Sequence, residues 1–290
     1  QPLVHGNDSH ILALSQYAKP RVTVLLSGEG ADETLNGYIR YQPLRYPLLL
    51  GIGRHVMPHL KMLERGRFAL RARKLRRFLE MKSLEDFVLF NSCELLPEDL
   101  GQLGFASGGD SFGFRRGVLA EASRQHPGEY LRQAMYLDQH TFLASLLDRN
   151  DRMTMGASIE CRVPFLDYRI VEQLAAMPSA QLMPGRERKG LLRKSMDDRL
   201  PLSVKRAPKL GFGVPWLKYT REVPVFREFI KSLPGKEPIA SGPFERRKVQ
   251  AVLDRYFAGD NTVAALVRVM MMTALWYEGR FERPRERQAA

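Results

Sequence analysis

Only two cysteines occur among 290 residues, Cys93 and Cys161. They lie far apart and without metal-ligand spacing, which excludes a disulfide framework and a cysteine-based zinc site and makes a reducing cytoplasm the expected compartment. Long apolar runs are missing as well. The nearest candidate, 263–276, is short and carries Arg268, so no membrane span is expected. The chain starts at Gln1 without an initiator Met and without the basic, apolar and small-residue order of a signal peptide, so it reads as a fragment or a processed piece. Acidic residues are in deficit, 32 against 45 Lys and Arg, which leaves a net charge of +13. Internal repeats and low-complexity tracts are absent. What is present is a soluble globular composition, 44% hydrophobic and 27% charged, with room for one or two domains.

Much of the positive charge sits in Arg65, Arg67, Arg71, Arg73, Lys74, Arg76 and Arg77. Phe68, Ala72, Leu75 and Leu79 recur among them at three- and four-residue steps, the spacing of one helical face. A solvated cationic face on a core-packed helix is the favoured reading. Nucleic acid is the lesser one, because no stacking aromatics or recognition motif accompany the charge.

One β-branched run stands out, Val22-Thr23-Val24-Leu25-Leu26. A helix is predicted before it over 9–18, with Lys19-Pro20 as the break, which makes one αβ step of a parallel sheet. No comparable run follows, so the partners of this strand are expected ahead of Gln1. Beyond Tyr41 the pattern turns helical, interrupted early by Pro43, Pro47 and Pro58. A loop is expected over 101–117, helices again from Tyr130, and an irregular stretch marked by Pro201, Pro208, Pro215 and Pro224. The last helix is predicted over 263–276, capped by Asn261-Thr262 and ending near Gly279. Ser107-Gly108-Gly109-Asp110-Ser111 looks like a phosphate-binding S-G-G-x-D-S loop, but it lacks the spacer residue and a leading strand, so it reads as a surface loop.

Chemistry concentrates in three places. The first is Ser27-Gly28-Glu29-Gly30-Ala31-Asp32-Glu33, directly after the predicted strand. Ligands of open α/β sheets bind beyond the carboxyl ends of strands, where glycines let backbone approach them. Three carboxylates would repel a bare phosphate, so a nucleotide here implies a divalent metal such as Mg²⁺. The same residues also suit an ordinary first helical turn. The second place, residues 148–167, alternates charges in sign beside small residues: Asp148, Arg149, Asp151, Arg152, Glu160, Arg162 and Asp167. Arg and carboxylate at this density can grip a carboxylate and an amine together, or form a structural ion-pair network. The third is Arg186-Glu187-Arg188-Lys189-Gly190, at a helix start, where one Lys can reach a transferring phosphoryl group. Lys209-Leu210-Gly211-Phe212-Gly213-Val214-Pro215-Trp216 reads as a packing element.

In this order and spacing the stretches resemble the synthetase domain of glutamine-dependent asparagine synthetases. The resemblance rests on Leu26-Ser27-Gly28-Glu29-Gly30-Ala31-Asp32-Glu33 with Gly37-Tyr38, on Asp151-Arg152-Met153 and Glu160-Cys161-Arg162-Val163-Pro164-Phe165-Leu166-Asp167, and on Lys189 to Arg193 and Lys209 to Pro215; Gln1-Pro2-Leu3-Val4-His5 and Leu275-Trp276 agree. It covers nearly the whole chain. The fold it implies is α/β, the last part of a parallel nucleotide-binding sheet of the ATP-pyrophosphatase type followed by a large, mostly helical region. Residues 1–45 would end the nucleotide-binding unit, 46–130 form a basic helical part, and 131–290 the helical substrate-pocket side.

The family implies that ATP activates the side-chain carboxylate of aspartate as an acyl-adenylate and that glutamine-derived ammonia displaces AMP. By resemblance, Ser27, Gly28 and Asp32 contact the nucleotide or its Mg²⁺-pyrophosphate, Glu29 orients the amine or takes its proton, and Lys189 is the catalytic lysine. Asp151, Arg152, Glu160 and Arg162 would lie at or behind the substrate pocket. The family reads Leu-Phe-Gly-Gly-Tyr where this chain has Thr34-Leu35-Asn36-Gly37-Tyr38, which leaves other carboxylate acceptors, on polysaccharide or peptide, open. The similar β-lactam synthetases carry Tyr at the position of Glu29, so an external amine is favoured over ring closure. The glutaminase domain with its amino-terminal Cys and the S-G-G-x-D-S loop are both missing, so this stretch alone is expected neither to hydrolyse glutamine nor to hold ATP well.

Overall fold

The computed structural model describes residues 5–46, 81, 83–105, 110, 112–185, 187–207 and 213–282. The basic stretch at 65–77, the decoy loop residues 107–109 and 111, and 208–212 of the Gly/Pro turn lie outside them. Two units make up the chain, one of Gln1–Asp8, Cys93–Asp110 and Phe212–Ala290, the other of Ser9–Ser92 and Ser111–Gly211.

The second unit is α/β, mostly helical with a small parallel sheet. Its elements run α1 (Asp8–Ala18), β1 (Val24–Leu26), α2 (Ala31–Thr34), a 3-10 turn at Ile39–Arg45, α3 (Leu84–Phe90), α4 (Gly113–Gln125), α5 (Tyr130–His140), α6 (Phe142–Met155), β2 (Glu160–Arg162), α7 (Tyr168–Ala176), α8 (Ser179–Leu182), α9 (Gly190–Ser195) and α10 (Leu202–Arg206). β1 and β2 pair in parallel, Val24 with Glu160, Leu25 with Cys161 and Leu26 with Arg162. Backbone bonds extend the ladder at both ends, Glu160 N to Thr23 O at 3.0 Å and Ser27 N to Arg162 O at 2.8 Å. This corrects the expectation that every partner of the strand lies ahead of Gln1. Glu160-Cys161-Arg162 escapes sequence reading because it is three residues long, has no β-branched side chain and exposes both charges. The last of these bonds ties Ser27 to β2 and fixes where the acidic loop leaves the sheet.

The core of this unit packs Ala31, Leu35, Tyr41 and Leu44 against Phe87, Val88 and Leu89 of α3 and Leu131, Ala134, Met135 and Leu137 of α5. Each large buried aliphatic contributes about 1.5–3 kcal/mol relative to exposure, so α2 is held by burial rather than by its own four residues. The expected loop over 101–117 is shorter than predicted, since Gly113 already starts α4. Arg115 explains the difference: its guanidinium donates to Leu89 O at 2.8 Å, Ser92 Oγ at 3.0 Å and Thr141 Oγ1 at 2.7 Å, anchoring the first turn despite its glycines.

The other unit holds α11 (Trp216–Glu222), α12 (Pro224–Ser232), α13 (Arg246–Phe257) and α14 (Ala264–Tyr277). Pro201, Pro215 and Pro224 were expected to mark irregular chain but stand at the starts of α10, α11 and α12. Proline suits those positions, where the missing N–H costs no helical bond. α14 buries Leu266, Val267, Met270, Met271 and Ala274 on one stripe. Its approach is capped by Asp260 rather than Asn261, the Asp260 carboxylate accepting from Thr262 N at 2.8 Å. Trp216 is a packing residue as expected, its indole N–H donating to Gly6 O at 2.7 Å. Among the described residues no helix is long and apolar enough to cross a membrane.

Candidate functional site

The acidic loop begins where β1 ends. Gly30 adopts φ 86°, a left-handed conformation that glycine accepts freely, and a Cβ there would lie 2.2 Å from Leu166 Cδ2. The chain therefore turns sharply into α2 beneath Leu166. Asn36 closes the turn at φ 55° and is fully buried. Asn is the residue after glycine that tolerates this region best.

Two ion pairs converge on this loop from distant parts of the chain. Arg149 Nη2 of α6 pairs with Glu29 Oε1, their side chains 9% and 21% exposed. Asn150 Nδ2 donates to Ser27 Oγ at 3.3 Å, and Arg149 Nη2 also reaches Asn150 Oδ1 at 3.1 Å. Lys189 Nζ lies 3.3 Å from Asp32 Oδ1. Lys189 itself has φ 53° immediately before α9. A lysine in the left-handed region costs of order 1–2 kcal/mol, and such strain clusters at functional sites.

Behind the loop lies a buried polar network. Tyr38 donates to Glu33 Oε1 at 2.6 Å, Gln139 Nε2 to Glu33 O at 3.1 Å, and both Arg40 Nη2 and Tyr41 OH donate to Asp138 Oδ2 at 2.7 Å. The Arg40 guanidinium stacks 3.6 Å from the Tyr38 ring centroid. Burial pushes the Glu33 carboxyl above its ordinary range, opposed by the Tyr38 hydrogen bond and aided by Asp32 and Asp138. Burial and then the Glu33 charge raise the Tyr38 hydroxyl, which therefore stays a donor. The network holds α2 rigidly while leaving Ser27, Glu29 and Asp32 half-buried and Gly28 exposed at the surface.

The structure brings Ser27, Gly28, Glu29, Asp32 and Lys189 together. The remaining candidates point elsewhere. Arg152 pairs with Asp148 at 3.4 Å on an exposed face of α6. Glu160 and Arg162 pair with each other at 2.8 Å on the open face of β2. Asp151 is exposed, and burial raises the Cys161 thiol, with Glu29 and Asp151 adding to the rise. Arg149 and Asn150 lie within the charged stretch at 148–167 but are not among the residues singled out there as site candidates. A helical signal for them existed, since α6 buries Leu143, Leu146, Asn150 and Met153, which turns Asp148, Asp151 and Arg152 outward.

Among the described residues no cluster of three or more His, Cys, Asp or Glu is arranged to hold a metal ion. Asp32 offers a single carboxylate. That donor set fits Mg²⁺ only in the manner of nucleotide enzymes, where one or two carboxylates and the substrate phosphates share the ion with waters.

A family model described as asparagine synthase matches residues 1–278. The chain belongs to the asparagine synthase family. It is 36% identical over 126 residues to glutamine-hydrolyzing asparagine synthetase 3 of Bacillus subtilis (strain 168), which covers 42% of this chain and 20% of that protein. It is 30% identical over 213 residues to asparagine synthetase 1 of the same strain, 71% of this chain and 33% of that protein. A putative glutamine-hydrolyzing asparagine synthetase of Mycobacterium bovis matches at 27% over 276 residues, 91% of this chain and 40% of that protein. The chain thus spans 20 to 40% of the length of these curated relatives. The asparagine synthase match, running from residue 1 to 278, takes in β1, the acidic loop, α6, β2 and Lys189.

Proposed function

We propose that this chain supplies the acyl-activating site of an ATP-dependent amide ligase that makes asparagine. The observation that carries the reading is the convergence of Arg149 and Lys189 on Glu29 and Asp32, directly beyond the carboxyl end of a parallel strand. An oxygen of the aspartate side-chain carboxylate attacks the α-phosphorus of ATP, and the bond to the leaving pyrophosphate breaks. Ammonia then attacks the acyl carbon, AMP leaves, and the ammonium proton passes to a base.

Each residue has a task in this scheme. Lys189 neutralises charge on the phosphate during adenylation. Ser27 and Gly28 hold the nucleotide, Gly28 offering backbone with nothing within 4 Å of where a side chain would stand. Asp32 would hold Mg²⁺, which would supply charge neutralisation for the pyrophosphate when bound. Glu29, oriented by Arg149, accepts the ammonium proton. Asp151, Arg152, Glu160 and Arg162 stand apart from these residues, on the exposed faces of α6 and β2. The other edge of β1 is unpaired among the described residues, which suits a wider nucleotide-binding sheet in the whole protein. Ammonia would come from glutamine through a glutaminase domain. The full-length protein given ATP, aspartate and ammonium should release AMP and asparagine in equal amounts. Release of ADP instead would refute adenylation.

A further inference from the structure

Gly37 is buried, and a Cβ built on it would stand 1.7 Å from Asp32 Oδ1 and 2.5 Å from Lys189 Cε. Real Cβ atoms do not approach other atoms that closely. Gly37 N also donates to the backbone carbonyl of Asp32 at 2.9 Å, so the two backbones are held together at this turn. We propose that Gly37 is a positioning residue for Lys189. Its missing side chain forms the socket in which the lysine stem lies and the ammonium rests on Asp32. The proposal deepens the ligase reading and rests on it for its consequence: a divalent cation held by Asp32 would compete with the ammonium for that carboxylate, and Lys189 would then be free to reach a phosphate.

Two features argue for a built socket rather than a chance surface pair. Lys189 and Asp32 are 25% and 23% exposed, so the ammonium is held in a recess rather than in open solvent. Lys189 keeps φ 53°, a backbone conformation that a residue placed there only for solubility would not need. Gly28, in the same loop, has open space where its side chain would be and serves as an internal control.

A zero-length carbodiimide joins an amine to a carboxylate only when they touch. In the full-length protein without ligand, peptide mapping should find a Lys189–Asp32 amide, retained in Gly28→Ala and reduced more than about tenfold in Gly37→Ala, the loss that a 1.4 kcal/mol shift or larger produces. Equal yield in Gly37→Ala, or no amide in the unmodified protein, overturns the socket. If Gly37→Ala fails to fold, the triple variant Gly37→Ala/Asp32→Ala/Lys189→Ala, which removes both side chains the new Cβ would meet, decides: recovery of the fold supports the socket, and continued failure overturns it. Adding Mg²⁺ with inorganic pyrophosphate should suppress the amide. A socket that forms but ignores pyrophosphate leaves the positioning role intact and refutes the nucleotide reading of the loop.

Discussion

Replacing Glu29 by Gln and Arg149 by Met, singly and together, isolates the pair that orients the proposed base. Both side chains are largely enclosed, at 21% and 9% exposure, and Arg149 keeps a second acceptor in Asn150 Oδ1 at 3.1 Å. A hydrogen bond to a charged group in such surroundings is worth about 1.5–3 kcal/mol, against about 0–1 kcal/mol for an exposed pair. Asn150 retains part of the guanidinium's bonding when Glu29 is neutralised, so the expected coupling is about 1–2 kcal/mol. Urea unfolding followed by far-ultraviolet circular dichroism measures it, because both tryptophans, Trp216 and Trp276, lie in the other unit. Raising the salt concentration should leave most of the coupling in place, since enclosed pairs are weakly screened. The exposed Arg152–Asp148 pair serves as the reference and should show about 0.5 kcal/mol or less. A Glu29–Arg149 coupling inside the ~0.5 kcal/mol scatter of additive sites would refute the claim that Arg149 orients Glu29.

Three further outcomes are expected. Gly30→Ala should destabilise by about 2–4 kcal/mol, combining left-handed strain with overpacking against Leu166, and Leu166→Ala should recover only the packing part in a double-mutant cycle. Asn36→Gly should stabilise by about 1 kcal/mol in thermal unfolding, because Nδ2 and Oδ1 of Asn36 are enclosed without a hydrogen-bond partner and glycine relieves φ 55°. Glu33 sets a pH dependence: its folded-state value is raised above 4.5, so the native state holds the proton longer than the unfolded chain does. The stability it contributes is complete below the unfolded value and is lost as pH rises through the folded value. Urea midpoints measured upward from about pH 4.5 should fall less steeply in Glu33→Gln, and an unchanged slope would show that Glu33 titrates normally.

What sequence alone could supply is clearest in the acidic loop. A run of β-branched residues followed by Gly, Ser and carboxylates has a local signature, so β1, α2 and the acidic loop between them were legible. α1 and the Lys189 helix start were legible for the same reason. β2 was not, because Glu160-Cys161-Arg162 becomes a strand only through pairing with β1, and nothing local favours it. Within 148–162, Asp151, Arg152, Glu160 and Arg162 are conspicuous as charges, and helical and strand periodicity turns them outward. Arg149 and Asn150, one position earlier on the inward stripe, do the contacting. The socket at Gly37 was invisible for a different reason, since it depends on Lys189 meeting Asp32 across most of the unit's length in sequence.

The most direct measurement is the exchange of labelled pyrophosphate into ATP by the full-length protein, with and without aspartate, compared between the unmodified protein and Lys189→Ala. Exchange that requires aspartate and falls by about 100-fold or more without the lysine is the predicted result. Exchange at an undiminished rate in Lys189→Ala would contradict the assignment of this loop and lysine as the adenylating site.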